Sequence, residues 1–163
     1  MFAKDQTRWK STLVAIALAT AIIVMMAEVR PAWAVLGEGS DSVRTDQSVM
    51  RGEMATSAHP DFTVKQISTA RGVVVNEYVS NSGTVFAVSW RGPRPPDLSQ
   101  LLGSYFSEYQ AAASQPRPHR ERRHVHIKTD NVVVEGGGHM RSLWGRAYVP
   151  SLLPPGVNLE DIH

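Results

Sequence analysis

Apolar and polar positions divide the chain into five stretches with different periodicities. Residues 13–27 form an unbroken run of apolar and small side chains. Residues 35–58 are polar, with Val43, Met50 and Met54 at helical spacing and Gln47 in the gap. That pattern predicts a thin helix over residues 41–54, with Ser40 or Asp41 as its cap. From Phe62 onward the period changes to two. Residues 62–67 alternate, and residues 73–79 and 84–90 are rich in β-branched and aromatic side chains, as strands are. Ser80-Asn-Ser-Gly83 between the last two runs predicts a tight hairpin. With Asn81 and Ser82 at the turn, Val73, Val75 and Val79 share a face with Phe86, Val88 and Trp90. This is the expected core side, and Asn76, Tyr78, Val85, Ala87 and Ser89 fall on the other.

Gly92, Pro93, Pro95 and Pro96 end the sheet pattern, and a helical one follows. Leu98, Leu101, Leu102, Tyr105, Phe106 and Tyr109 make one apolar stripe, with Asp97 as N-cap and Gln100 placed for a capping box. The helix should fade in Ala111-Ala-Ala113 and end by Pro116. Strand patterns return at residues 124–129, 132–135 and 140–149, with a turn at Asp130-Asn131. Gly136-Gly-Gly138 reads as a turn or bulge and Gly145 as a bulge site. Pro150, Pro154 and Pro155 predict a loop-like tail. The expected fold class is α+β. It is an antiparallel sheet of about five or six strands with one amphipathic helix packed on one face, plus a short N-terminal helix. Residues 59–163 form the single domain, preceded by the polar segment 35–58.

The apolar head reads as a cleavable export signal. Lys4, Arg8 and Lys10 precede the run, and Glu28, Arg30 and Pro31 close it. Ala32 and Ala34 supply the small side chains that a signal peptidase accepts. The run falls short of the roughly 20 apolar residues that span a bilayer, so residues 1–34 are expected to be removed. An uncleaved signal would be the only membrane attachment. The chain has no cysteine, which excludes disulfides and a lipidated-cysteine anchor.

Charge shifts once the leader is set aside. The chain carries 17 basic and 15 acidic residues; residues 1–34 hold four of the first and two of the second, leaving 13 of each. A formally neutral exported domain gives no footing for nucleic-acid binding.

Several pieces in fixed order carry a family resemblance. They are the leader ending Ala32-Trp-Ala34, the start Val35-Leu-Gly37, and the run Asn76-Glu-Tyr-Val-Ser-Asn-Ser-Gly-Thr-Val-Phe-Ala-Val-Ser-Trp90. Pro96-Asp-Leu-Ser-Gln-Leu-Leu-Gly-Ser-Tyr-Phe106 and Gly145-Arg-Ala-Tyr-Val-Pro150 complete the set. Together they resemble the family of small exported proteins of Gram-negative bacteria called domain of unknown function 2844. The resemblance implies export and carries no catalytic residues.

Candidate chemistry is sparse. No cysteine nucleophile and no Gly-x-Ser-x-Gly elbow is present, and no catalytic residue is assigned. His124 and His126 alternate on a strand pattern and so share a face, with His139 behind three glycines and His119 in the preceding loop. Imidazoles so placed would suit zinc or copper, though none of the known chelate motifs occurs. Arg117, Arg120, Arg122 and Arg123 form a basic loop suited to phosphate-bearing headgroups or acidic polysaccharide. Trp90 and Trp144 close strands and would be sugar-stacking residues only where exposed. The reading these features favour is a non-catalytic binding or assembly module of the envelope, periplasmic or secreted. Its partner would be a protein, a glycan or an anionic lipid. The alternatives are a small periplasmic or secreted enzyme and a metal-handling protein.

Overall fold

The structure is a computed structural model that describes residues 36–116 and 124–163. The expected leader, with Ala32 and Ala34, lies outside the described residues, as do His119 and Arg117, Arg120, Arg122 and Arg123. Among the described residues, seven strands form one sheet: β1 Glu53–Ala58, β2 Phe62–Ser68, β3 Val74–Ser80, β4 Val85–Gly92, β5 His124–Lys128, β6 Val133–His139 and β7 Ser142–Tyr148. Every pairing is antiparallel, in the order β1-β2-β3-β4-β7-β6-β5. Two meanders, β1 to β4 and β5 to β7, are thus joined along a β4–β7 seam.

The sheet has more strands than the sequence pattern predicts. Residues 53–58 extend the sheet, whereas the apolar spacing had placed Met54 at the end of a helix. The first helix, α1, is Ser42–Met50, closed by Arg51 in the left-handed conformation (φ 49°). β1 is an outer strand whose side chains are mostly exposed, so it carries no apolar alternation to read.

Gly136, Gly137 and Gly138 also depart from expectation. They continue β6 in register with β7, and the reversal falls at Met140 and Arg141. Gly145 is no bulge either, since it pairs with Gly136 and with Trp90 in an unbroken ladder. Its missing side chain is what the packing uses, because a Cβ there would run into the Trp90 indole.

Residues 98–113 form the expected helical run, as α2 Leu98–Leu102, a 3-10 turn Gly103–Tyr105 and α3 Phe106–Ala113. Asp97 caps it by accepting from the Ser99 amide at 2.9 Å. Gln100 does not close a capping box; its side chain turns inward to Asp46. Leu101 and Leu102 are fully buried on the sheet, each contributing about 1.5–3 kcal/mol by burial. With Leu36 and Val43 they cover Ile67, Val75, Val79, Val85, Val88 and Val134 on what we term the helix face.

The opposite face is covered too. Residues 150–163, expected to be loop-like, fold over it with two 3-10 turns, Pro150–Leu152 and Leu159–Asp161. Ile162, Leu152, Leu153 and Val157 pack there against Phe62, Tyr78, Phe86, Ala87, Val133 and Tyr148. Phe86 therefore sits on this tail face, contrary to its expected place among the helix-face residues. The hairpin loop has three residues, with Ser80 N–H donating to Thr84 and Gly83 at φ 87°. Val79 pairs with Val85 and Tyr78 with Ala87, so Phe86 is the extra residue of a bulge. Val85 correspondingly turns to the helix face.

Candidate functional site

Period-two alternation places one side chain per strand in rows across the tail face. One row runs Gln66, Asn76, Ser89, Arg146, Glu135, His126 through six strands. All six are polar. Gln66 donates to Asn76 Oδ1 at 3.0 Å, and Asn76 donates to Ser89 Oγ at 3.3 Å. At the other end Glu135 accepts from Arg146 Nε at 2.6 Å and lies 3.0 Å from His126 Nδ1. The neighbouring row runs Val74, Arg91, Trp144, Gly137, His124. Trp144 is 41 % exposed, flanked by Arg91 on one strand and by the bare backbone of Gly137 on the other.

The parts of these rows on β2, β3, β4 and β7 floor a groove of about 590 Å³, walled at one end by Ile162 and His163. The tail is pinned there. The His163 main-chain oxygen accepts from Tyr78 Oη at 2.8 Å, Asn76 Nδ2 at 2.9 Å and Ser89 Oγ at 3.0 Å. The His163 amide donates back to Tyr78 Oη at 2.9 Å. Tyr78→Phe should leave those partners less satisfied and cost about 1–3 kcal/mol in urea unfolding. An unchanged urea midpoint would show that the tail is held by its apolar contacts alone.

The sequence-predicted histidines take distinct places. His126 ends the polar row beside Glu135, and His124 ends the tryptophan row. His139 closes β6 opposite Ser142. Among the described residues, no three His, Asp or Glu side chains gather around one point as a metal set. Trp90 is buried against Gly145 on the helix face, and Trp144 is the exposed member of the pair.

Sequence reading missed a buried acid pair. Glu77 alternates with Asn76 and Tyr78 and so points to the helix face, away from the groove. It is 1 % exposed, as is Asp46 of α1. Written as two carboxylates, Asp46 Oδ2 and both Glu77 oxygens lack hydrogen-bond partners. A proton held on Glu77 and shared with Asp46 satisfies Oδ2 and one of the two Glu77 oxygens. Burial and the neighbouring Asp46 charge push Glu77 up to about 9, and burial pushes Asp46 up to about 6, with Gln100 bonding to it. Lys65, the nearby cation, donates to the Ser40 carbonyl at 3.0 Å. The signal in the sequence was a glutamate on the strand face otherwise made of Val73, Val75 and Val79.

Fold and surface together define an α+β domain: one antiparallel sheet, covered by helices on one face and by its own tail on the other, with a polar groove beside that tail. Residues 32–162 match the family described as Protein of unknown function (DUF2844), and the chain belongs to that family. No curated protein and no solved structure matches it.

Proposed function

We propose that the protein is an exported, non-catalytic module of the cell envelope that binds a glycan in the Trp144 groove. The exposed Trp144 carries this reading. An exposed indole on the sheet beside a bare glycine offers a face on which a sugar ring can stack. The exposed Gln66 amide keeps its carbonyl oxygen and one N–H for hydroxyl groups, and the exposed Arg91 suits an acidic substituent. An apolar platform with a few convergent polar groups is the usual form of a small-ligand site.

The enzyme alternative gains little from Asp46 and Glu77. Their titration is displaced as in a catalytic pair, but they are buried on the other face of the sheet and open onto no substrate. Export is supported by the leader pattern alone. The N-terminal residue of the protein recovered from a periplasmic fraction tests it, with Val35 expected and Met1 counting against it.

Calorimetric titration with soluble cell-wall fragments and acidic oligosaccharides tests the binding. Trp144→Ala should weaken the interaction about tenfold or more, since aromatic anchors dominate such contacts. Its stability should change by less than about 0.5 kcal/mol, as at an exposed position. Equal affinity in the variant, or no binding by the parent, would remove this reading.

A further inference from the structure

A second groove, of about 700 Å³, lies between the end of α1, the β2–β3 turn and the segment leading into α2. Arg51, Arg71 and Arg94 line it, one from each of these elements. The ion pairs found among the described residues are those of Glu135 with His126 and with Arg146. None of the three arginines therefore has an acidic partner among those residues. One carboxylate, Asp97, also lines the groove, but its Oδ1 is engaged by the Ser99 amide and hydroxyl. The lining is net positive, three arginines against one aspartate, in a domain that is formally neutral as a whole.

Each arginine stands on stiff backbone. Arg94 sits between Pro93 and Pro95, which fix φ on either side. Arg71 belongs to a turn closed by Thr69, whose hydroxyl donates to the Val73 carbonyl at 3.0 Å and accepts from its amide at 3.1 Å. Arg51 is held at φ 49°, a region that costs a non-glycine residue about 1 kcal/mol or more. Glycine is the usual residue there. Gly52 follows at once, and its own missing side chain is needed against Ile67. The chain thus keeps an arginine at a position where its backbone is strained and where glycine would relieve it.

We propose that Arg51, Arg71 and Arg94 form a binding site for a phosphorylated ligand carrying two or more negative charges. Guanidinium groups bind phosphate oxygens through paired N–H donors, and the stiff backbone beneath these exposed side chains removes the main-chain part of the ordering cost on binding. The same phosphate chemistry is found on soluble sugar phosphates and on lipid headgroups. The site lies apart from the Trp144 groove and does not depend on the glycan reading.

Calorimetric titration of the purified protein with inorganic pyrophosphate tests the proposal. Binding is expected at low salt and should weaken as sodium chloride is raised. Arg51→Gly is the informative variant, because it removes the guanidinium while relaxing the backbone. It should keep or raise the melting temperature and still bind pyrophosphate about tenfold more weakly, and Arg71→Gln should weaken binding to a similar degree. No binding by the parent up to millimolar pyrophosphate would overturn the proposal. So would parental affinity in both variants, which would place the anion elsewhere on the protein. Co-sedimentation with phosphatidylglycerol vesicles, against phosphatidylcholine controls, separates the sources. Pelleting that Arg71→Gln abolishes supports a lipid-borne phosphate, and pyrophosphate binding without pelleting supports a soluble one.

Discussion

Stability should be greatest near pH 4 and fall steadily toward pH 9. The cause is the Asp46–Glu77 pair. In the folded chain Asp46 titrates near 6 instead of 3.8, and Glu77 near 9 instead of 4.5. Unfolded, both release their protons in the ordinary carboxylate range. Between the two sets of values the folded chain holds protons that the unfolded chain has lost, so raising the pH favours unfolding. The loss begins above pH 4, as Asp46 and then Glu77 enter that window, and ends once Glu77 has ionised. Each proton so held costs up to about 1.4 kcal/mol per pH unit. The full fall should reach several kcal/mol, moderated by Lys65, whose charge favours ionised Glu77. Asp97 and Glu108 act in the opposite sense at the acid end. Hydrogen bonds to Ser99 and to Thr129 and Asn131 hold their carboxyls below the usual range, so what they contribute is lost as pH drops below it. Glu77→Gln supplies a donor toward Asp46 at every pH. It should flatten the alkaline limb and raise the melting temperature at pH 9. Urea midpoints from pH 4 to 10 decide the matter. A flat parental profile between pH 5 and 9, or an equal slope in the variant, would show that the pair does not share its proton.

Phe86→Ala should cost about 3–5 kcal/mol, as much as truncating a residue in the main core. Phe86 is fully buried, with its ring edge-on to Phe62 at 6.0 Å and tilted against Tyr78 at 6.2 Å. The tail closes over this cluster through Ile162, itself 1 % exposed. Truncation opens a cavity beneath the tail, and a close-packed interior relaxes only partly into such a space. Leu102→Ala on the helix face is the matched comparison, and the two losses should be similar. A Phe86→Ala cost below about 1 kcal/mol would mean that the tail face is a loose covering and not a second core.

Much of the fold was legible, for identifiable reasons. The helix over residues 98–113 was readable because it buries one stripe. Strands β2 to β4 were readable because β-branched residues cluster there. The faces of Val75, Val88 and Trp90 also came out as predicted, although the turn was wrong. A three-residue loop shifts the register by one, and the bulge at Phe86 shifts it by one more. Two such shifts restore the original parity beyond the bulge. Only Val85 and Phe86, lying between them, change sides. Gly136 to Gly138 misled because glycine usually breaks strands. Here Gly136 admits the Trp144 and Gly145 backbone closely, and Gly137 leaves the Trp144 flank bare. The sites were less legible. A row across the sheet draws residues from distant strands, so Gln66, Asn76, Ser89 and Arg146 share no spacing along the chain. Arg51, Arg71 and Arg94 are likewise single arginines in three separate turns.

The β4–β7 seam bears on the order in which the protein assembles. β4 lies at the middle of the finished sheet, yet its second partner is made roughly fifty residues later, and closing so long a loop is a slow step. Until β7 arrives, β4 presents an open hydrogen-bonding edge with its apolar residues still uncovered. The β7 strand of another copy matches that edge as well as the chain's own. At high concentration, folding and strand exchange compete for one site, so refolding at rising protein concentration is expected to yield a swapped dimer, and a purely monomeric product on size exclusion would show that the chain's own β7 closes first.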